Sequence, residues 1–361
     1  MPCGEKCNFE TSDSNILLDR KVYMSNPFAK LKIAIYGAGA IGGHLGGMLC
    51  RAGYDVSLIA RGPHLEAMRA NGLKQITQNG EFVTYPHLTD DPSTLGPQDY
   101  VVMSLKSYQA PGVVGAMQPL LGPNTTVATA MNGIPWWYFY KVPGRWENYR
   151  VKSVDPDGKQ WNQIGAERAI GCITYIASEV IEPAVIKSMS VARYQIGEPD
   201  GSRSERCKIF QSVVEASGIN CQIRSDIRKD IWFKVMGNVA YNPTSALTLA
   251  HTGAMIDDPQ MEALLRRLMT EVMLIGVAMG SDPGGRIDER IKTSREFAAF
   301  HKTSMLQDLE RGRPMEIMAI LAATAELAEL AGVKIPTIET VLALIKLRAE
   351  MTGQLPDVSQ K

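Results

Sequence analysis

A glycine-rich turn between a predicted strand and a predicted helix constrains this sequence more than any other feature. The apolar run 33–36 leads into the turn, and a helical pattern follows over residues 41–52. In a G-x-G-x-x-G turn, the first glycine permits a tight bend, the second admits a diphosphate, and the third lets helix and strand pack closely. The positive end of the helix can then hold the diphosphate. We therefore predict a dinucleotide site formed by Gly37, Ala38, Gly39, Ala40, Ile41 and Gly42.

Short apolar runs bounded by glycine or proline recur through the first part of the chain. The runs 55–60, 100–105 and 125–130 alternate with helical patterns, which favours a mostly parallel, doubly wound sheet. Weaker strand patterns follow, and we expect them to extend one edge of that sheet: residues 169–173, 184–186 and 193–196. The predicted fold class is α/β, with an N-terminal Rossmann-type dinucleotide-binding domain over residues 29–224.

After about residue 223 the strand pattern stops and helical periodicity replaces it. Helices are predicted over residues 226–241, 259–279, 289–307, 315–331 and 336–351. Glycine and proline residues between these segments mark the helix ends. We predict an all-helical C-terminal domain that spans residues 225–361 and carries substrate-binding and catalytic groups. Residues 1–28 are polar and lack periodicity, so we expect a disordered extension there.

The charge balance of the chain limits its partners. The 361 residues include 38 lysines and arginines and 38 aspartates and glutamates, so the formal net charge is +0. This balance argues against a mainly electrostatic binder of nucleic acid or of an anionic membrane. No apolar run approaches the roughly 20 residues of a membrane-spanning helix, and the polar start lacks a secretory signal. We expect a cytoplasmic protein with reduced, scattered cysteines and no metal site.

The end of the second predicted strand indicates which cofactor is used. A site for NAD usually has an acidic residue there, which binds the ribose 2′-hydroxyl. This chain has Ala60, Arg61 and Gly62 instead. A guanidinium can bind a 2′-phosphate with two hydrogen bonds, whereas a carboxylate would repel it. Arg61 therefore favours NADP(H), with His64 and Lys74 as weaker candidates, and a solvated surface arginine is the alternative.

One face of the first helix in the second half changes from apolar to polar. At 100° per residue, four side chains lie within about 60° of one another: Ile227, Ile231, Lys234 and Asn238. Asn242 joins this stripe if the helix continues. Burying an ammonium without a partner is costly, so a lysine here suits a polar cleft, where it can protonate a developing alkoxide. A lysine that extends to the surface is the alternative.

A second polar group lies further along the chain. Ser304 and Asp308 share a helical face at i and i+4, and Glu316 stands in the first turn of an otherwise apolar helix. A solvated face for Asp308 and a carboxylate favoured by the helix dipole for Glu316 are equally good interpretations. The spacing alone does not decide between these interpretations and a functional role.

Aromatic side chains are concentrated in residues 135–163, which contain four of the five tryptophans. Clustered aromatic residues with proline and glycine are typical of a lid, a pocket wall or an oligomer contact. A satellite core under a long loop is an equally good interpretation.

Six motifs, in order, give the chain a resemblance to a known family. They are the turn 37–42, Leu-Ile-Ala-Arg-Gly at 58–62, Ser-Leu-Lys at 104–106, Asn-Gly at 132–133, Lys-Val-Met-Gly-Asn at 234–238 with Asn-Pro at 242–243, and Ser-Met-Leu-Gln-Asp at 304–308 with Glu-Ile at 316–317. From about residue 32 to residue 347 the chain resembles the ketopantoate reductases, also called 2-dehydropantoate 2-reductases. The resemblance implies a cleft between a Rossmann domain and a helical domain, where NADPH reduces the C2 carbonyl of a 2-oxo acid.

The resemblance also implies a role for each matching residue. Lys234 matches the general acid, and Glu316 matches the glutamate that binds the substrate hydroxyl and supports the lysine. The remaining implied positions are Asn238, Asn242 and Ser304 for substrate, Lys106 and Asn132 where cofactor meets substrate, and Arg61 for the 2′-phosphate. The implied reaction converts 2-dehydropantoate to pantoate in pantothenate biosynthesis, and a homodimer is a further expectation.

The chain departs from the family pattern near the implied substrate. Glu316 is followed by the apolar run 317–322, where the family commonly has Asp and then Asn-Gly. Thr252 stands where a substrate-binding Asn is frequent. A bulkier or more apolar 2-oxo or 2-hydroxy acid, in a catabolic pathway, is therefore an alternative substrate. A non-catalytic NADP(H) sensor is a further alternative. Lys234 and Glu316 argue against it, because a sensor needs no proton donor.

Overall fold

The strands of the protein form two sheets in its N-terminal half. The computed structural model describes residues 28–298 and 300–356, without the side chains of residues 297 and 298. The predicted extension, residues 1–28, lies outside the described residues apart from Phe28. The strands are β1 (Lys32–Tyr36), β2 (Asp55–Ile59), β3 (Leu73–Thr77), β4 (Gly80–Thr84), β5 (His87–Thr89), β6 (Gln98–Met103), β7 (Leu121–Thr129), β8 (Ala169–Tyr175), β9 (Ser178–Glu182), β10 (Val185–Ser188), β11 (Arg193–Gly197) and β12 (Asn220–Ile223).

The helices connect these strands and then make up the C-terminal half. The α-helices are α1 (Ala40–Arg51), α2 (Gly62–Asn71), α3 (Ala110–Met117), α4 (Glu205–Ala216), α5 (Ile227–Thr248), α6 (Thr252–Asp257), α7 (Pro259–Ala278), α8 (Ile287–Ala298), α9 (Ser304–Glu310), α10 (Ala323–Ala331) and α11 (Pro336–Met351). A π-helical turn, Met318–Ala322, leads directly into α10.

An eight-stranded sheet forms the centre of the N-terminal half. Its strand order is β12-β11-β8-β7-β6-β1-β2-β5, and every neighbouring pair is parallel except β8 with β11. Ile33 of β1 is in register with Val56 of β2 and with Tyr100 of β6. The strand order reverses between β1 and β6, and doubly wound sheets bind ligands outside the carboxyl ends at such a point. The predicted α/β class is confirmed.

The central strand β1 is buried on both faces, as its apolar sequence predicts. Ile33 and Ile35 belong to the core on one face of the sheet, and Ala34 and Tyr36 belong to the core on the other. Burying a side chain as large as isoleucine contributes about 1.5–3 kcal/mol. The strand therefore gives the glycine-rich turn at its carboxyl end a rigid support.

A separate four-stranded sheet, in the order β4-β3-β10-β9, packs against α1. The expectation that residues 184–186 extend the main sheet is wrong, because β10 pairs with β3 and β9. The reason is a glycine face on α1. A Cβ on Gly43 would lie 2.3 Å from Ile186 Cδ1, and one on Gly47 would lie 1.9 Å from Gln75 Nε2. The small sheet therefore occupies the space that larger side chains on this helix would fill.

Helices follow the last strand, and the structure places no strand after Ile223 among the described residues. The predicted helix 226–241 continues as α5 to Thr248, with Pro243 in its interior although proline cannot donate a backbone hydrogen bond. The predicted single helix 289–307 is wrong. The helix α8 ends at Ala298, and Thr303 starts a new helix, since its hydroxyl accepts a hydrogen bond of 3.2 Å from the N–H of Leu306 and caps the N-terminus of α9. The limits 29–224 and 225–361 for the two domains stay predictions.

The aromatic segment 135–163 contributes to the main core. Trp136, Trp137, Tyr138 and Phe139 are each at most 1% exposed. Tyr138 Oη accepts a hydrogen bond of 2.6 Å from Trp232 Nε1 on α5. The interpretation as a core under a long loop is therefore correct for these four side chains, and they form neither a lid nor an exposed oligomer contact.

Candidate active site

A cleft of about 2970 Å³ lies between the carboxyl ends of the main sheet and the helices α5, α8 and α9. All of the predicted site residues except one line this cleft: Gly37, Ala38, Gly39, Ala40, Ile41, Arg61, Lys106, Asn132, Lys234, Asn238, Asn242, Ser304 and Glu316. The exception is Gly42, which is buried beneath the turn. The fold thus brings residues from both halves of the chain to one place.

The glycine-rich turn fits a dinucleotide diphosphate. Gly37 has a φ of +102°, a conformation that side chains rarely adopt. A Cβ on Gly42 would lie 2.1 Å from Ser104 Oγ, so this glycine lets α1 pack closely on the sheet. A Cβ on Gly39, by contrast, would have no other atom within 4 Å. The backbone at Gly39 is therefore open to a ligand, and the N-terminus of α1 faces the same cleft.

Arg61 lies where the cofactor ribose is expected. It follows β2, precedes α2 and is exposed at the edge of the cleft. No ion pair to its guanidinium occurs within residues 28–298 and 300–356. A free guanidinium at this point is suited to an anionic group.

The two weaker candidates for the ribose phosphate have other roles. His64 Nδ1 accepts a hydrogen bond of 3.1 Å from the N–H of Ala184, and its Nε2 lies 2.9 Å from the Ala38 carbonyl oxygen. Both nitrogens of the neutral ring are therefore engaged, and burial lowers the pKa of His64. Lys74 forms an ion pair of 2.7 Å with Glu81. His64 therefore links the glycine-rich turn to the small sheet, and Lys74 is paired within that sheet.

Lys234 brings a largely buried ammonium into the cleft. It lies on α5, and its Nζ donates a hydrogen bond of 3.0 Å to the backbone oxygen of Thr174 at the end of β8. The Nζ atom also lies 5.9 Å from the centre of the Tyr175 ring. Burial lowers the pKa of Lys234 to about 8, and the negative charge of Glu316 partly opposes that shift. The amine is thus poised to exchange a proton near neutral pH.

Glu316 is held by three groups from the sheet half. Its Oε1 accepts a hydrogen bond of 3.0 Å from the N–H of Ser107, and its Oε2 accepts one of 3.3 Å from Asn132 Nδ2. Lys106 Nζ lies 3.6 Å from Oε2. The carboxylate that was expected to support Lys234 therefore pairs directly with Lys106, and it acts on Lys234 through the electrostatic field.

Asp308 is a buried partner of Lys106 that the sequence did not single out as functional. Its Oδ2 lies 2.5 Å from Lys106 Nζ, and the Asp308 side chain is 2% exposed. Burial disfavours the charge of Lys106, but Glu316 and Asp308 outweigh that effect and raise its pKa. The solvated-face interpretation of Asp308 is wrong. The i, i+4 spacing with Ser304, which lines the cleft, was the available signal.

The predicted substrate-binding side chains form a polar wall of the cleft. Asn238 and Asn242 follow Lys234 on α5, and Ser304 begins α9. The Nδ2 atom of Asn238 is buried and has no hydrogen-bond acceptor among the described residues. The apolar run 317–322 does not line the cleft. It packs beneath instead, where the N–H of Ile134 donates a hydrogen bond of 3.0 Å to the Ala319 carbonyl oxygen.

Comparison with known proteins agrees with this geometry. The family model described as "Ketopantoate reductase PanE/ApbA" matches residues 33–201, and the model of the C-terminal part of the same family matches residues 226–349. The chain belongs to the ketopantoate reductase family. A 2-dehydropantoate 2-reductase of Mesorhizobium japonicum is 44% identical over 324 residues, which cover 90% of this chain and 99% of the relative.

Solved structures of similar proteins extend the comparison. A candidate ketopantoate reductase from Ralstonia solanacearum MolK2 is 35% identical, with a TM-score of 0.85 over 90% of this chain and 99% of that one. A D-mandelate dehydrogenase with NADH and anilino(oxo)acetate has a TM-score of 0.79 over 90% of this chain and 100% of that one, but only 18% identity, so it shows the fold alone.

Membership in the ketopantoate reductase family makes the chain an oxidoreductase that uses a nicotinamide cofactor, as predicted. The predicted fold, a Rossmann-type sheet followed by helices, is also confirmed. In the part of the chain that the structure describes, no helix has the length and apolarity that a bilayer crossing requires.

Proposed function

We propose that this chain catalyses the NADPH-dependent reduction of a 2-oxo acid, with 2-dehydropantoate as substrate and pantoate as product. One observation carries the proposal: the ammonium of Lys234 lies in the cleft that also contains the glycine-rich turn, and Thr174 holds it there. The name of the Mesorhizobium relative supports the same reaction. A place in pantothenate biosynthesis follows from the product.

Lys234 acts as the general acid. Reduction of a ketone places negative charge on its oxygen, and a nearby ammonium both stabilises and protonates that oxygen. With a pKa of about 8, Lys234 is charged at neutral pH and gives up its proton more readily than an exposed lysine. The hydrogen bond to Thr174 uses one N–H of the ammonium and fixes its direction. The other two can donate to the substrate oxygen.

The cofactor is NADPH, which supplies the hydride when it is bound. The turn 37–42 and the N-terminus of α1 suit its diphosphate, because the Gly39 backbone is open. Arg61 suits its 2′-phosphate, since the guanidinium has no acidic partner among the residues described and no carboxylate stands at the end of β2. Lys106 and Asn132 lie near the expected meeting point of cofactor and substrate, where they also hold Glu316.

The polar wall of the cleft favours a small hydroxylated substrate. Asn238, Asn242 and Ser304 offer amide and hydroxyl groups, and Glu316 offers a carboxylate that can accept a hydrogen bond from a substrate hydroxyl. The apolar run 317–322, which suggested a bulkier and more apolar acid, does not line the cleft, and all of it except the half-buried Met318 is buried. The alternative substrate is therefore not favoured.

The proposal is tested by following NADPH absorbance with the full chain and a panel of 2-oxo acids that includes 2-dehydropantoate. We expect that 2-dehydropantoate gives the highest kcat/KM and that mass spectrometry identifies pantoate. A clearly higher kcat/KM with an apolar 2-oxo acid would overturn the assignment of 2-dehydropantoate as the substrate. NADPH binding without turnover of any acid would instead support the sensor alternative. The cytoplasmic location and the homodimer stay predictions.

A further inference from the structure

Arg290 is a cleft residue to which neither the sequence motifs nor the family resemblance gives a role. It lies on α8 and lines the same cleft as Lys234 and Asn238. Its guanidinium carbon lies 5.5 Å from the centre of the Phe233 ring, which is next to Lys234 on α5. The guanidinium is therefore packed against the helix that carries the proposed general acid.

Gly237 makes room for this guanidinium. It lies on α5, three residues after Lys234 and next to Asn238. A Cβ at Gly237 would lie 2.1 Å from Arg290 Nη2 and 2.5 Å from Arg290 Nε. Glycine in a helix interior costs about 1 kcal/mol relative to alanine. The missing methyl group lets Arg290 reach the helix backbone about one turn from Lys234, in a space that any other residue would fill.

The Arg290 guanidinium has no acidic partner in the described chain. Arg286, one turn earlier on the chain, is paired with Glu289 at 2.8 Å, but no ion pair joins Arg290 to any described carboxylate. The Nε atom of Arg290 is buried without an acceptor, and so is Nδ2 of Asn238. Burial lowers the pKa of Arg290, and nearby positive charge from Arg193 adds to the effect. Buried donors are normally satisfied, so this group of donors suits an anion.

We propose that Arg290 binds the carboxylate of the substrate, with the Asn238 amide as a second donor. This inference rests on the proposed reduction of a 2-oxo acid. In such an acid the carboxylate is bonded directly to the ketone carbon, so its site must adjoin the group that protonates the ketone oxygen. Arg290 meets this condition because Gly237 places it beside Lys234. A guanidinium can bind a carboxylate with two parallel hydrogen bonds, which fixes the orientation of the substrate as well as its charge.

The test compares two ligands that differ in charge and are not reduced: oxamate, which has a carboxylate, and its neutral amide, oxamide. Binding of each to the NADPH-loaded full chain is measured by calorimetry. We expect tighter binding of oxamate by the wild type. Arg290→Ala should weaken the binding of oxamate by about 10- to 100-fold, the scale of one charge-assisted pair. It should weaken the binding of oxamide by less than about 3-fold. Arg290→Lys should bind oxamate with an affinity between those of the wild type and Arg290→Ala, because lysine keeps the charge but lacks the planar guanidinium.

Two further variants separate a local effect from a general one. Arg295→Ala removes the same charge from α8, but Arg295 pairs with Asp257 at 3.2 Å outside the cleft, so oxamate binding should not change. Gly237→Ala displaces the guanidinium with a methyl group, and it should weaken oxamate while leaving the circular dichroism spectrum unchanged.

Wild-type affinity for oxamate in Arg290→Ala would overturn the inference, as would equal losses for oxamate and oxamide. The inference also fails if the wild type binds oxamate no more tightly than oxamide. If oxamate binding depends on Arg290 but the chain reduces no 2-oxo acid, the carboxylate site stands and the proposed function fails. The two claims are therefore distinguishable.

Discussion

The ammonium of Lys106 and the carboxylate of Asp308 meet at 2.5 Å across the cleft. Lys106 follows β6 of the sheet half, and Asp308 lies on α9 of the helical half. The Asp308 side chain is 2% exposed and that of Lys106 is 31% exposed, so solvent screens this pair only weakly. Together with Glu316, the pair joins the two walls of the cleft next to the proposed site of reaction.

Lys106→Met tests the importance of this junction for stability. The variant removes the cation that pairs with Glu316 and one of the two that pair with Asp308, which keeps its ion pair of 2.9 Å with Arg313. Removing one partner of a buried pair costs up to about 3–5 kcal/mol. We expect a clear drop in Tm by calorimetry. Lys302→Met is the matched control, because its pair with Glu310 is exposed and contributes at most about 1 kcal/mol. Equal Tm values for the two variants would show that the junction does not stabilise the fold.

The pH dependence of turnover follows from the lowered pKa of Lys234. A general acid must be protonated, and burial sets the pKa of Lys234 at about 8 instead of 10.5. We expect kcat for reduction to be level below that pH and to fall about tenfold per pH unit above it. The measurement is a kcat profile between pH 6 and pH 10. A profile that stays level to pH 10 would be inconsistent with Lys234 as the acid.

Arg61→Ala should reduce the preference for NADPH over NADH. Loss of a charge-assisted contact to the 2′-phosphate should weaken NADPH binding by about tenfold or more. NADH binding should change little, because NADH lacks that phosphate. The ratio of kcat/KM for the two cofactors is the readout. Arg69→Ala, on the helix that follows Arg61, is the control, since Arg69 already pairs with Glu66 and Asp90. An equal loss of kcat/KM with both cofactors would show that Arg61 does not bind the 2′-phosphate.

Tyr138→Phe tests the role of the aromatic segment in the core. The change removes the acceptor of Trp232 Nε1 and leaves a buried donor unsatisfied, at a cost of about 1–3 kcal/mol. We expect a lower Tm in thermal unfolding and an unchanged kcat. Tyr85→Phe, at a side chain that is 75% exposed, should leave Tm unaltered. A reduced kcat with a normal Tm would indicate that this segment forms a wall of the active site and is not only part of the core.

Local patterns in the sequence predicted the parts of the site that depend on one element. The glycine-rich turn follows from residues 33–42, because strand, turn and helix are consecutive there. The Lys234 stripe follows from the 3.6-residue period of α5, which continues far enough to include Asn242. The resemblance to a family added the roles of Lys106 and Ser304, which the local patterns did not assign.

Contacts between distant segments explain what the sequence did not predict. The pairing of β10 with β3 depends on the glycine face of α1, and the burial of Asp308 depends on Lys106, which is 202 residues away. Arg290 belongs to none of the sequence motifs, and only the fold shows that it packs against Gly237. Hydrophobic periodicity describes one helix or strand at a time, so it cannot predict contacts between residues that are far apart in the sequence.

Turnover by Lys234→Met at saturating NADPH and 2-dehydropantoate decides whether Lys234 is the general acid. The variant keeps most of the side-chain volume and removes the proton donor. We predict that kcat falls by at least about 10²-fold, the scale of losing one transition-state donor. The Kd for NADPH, measured by fluorescence, should stay within about threefold of the wild type. Near-normal kcat in a folded variant that binds NADPH normally would show that Lys234 is not the proton donor.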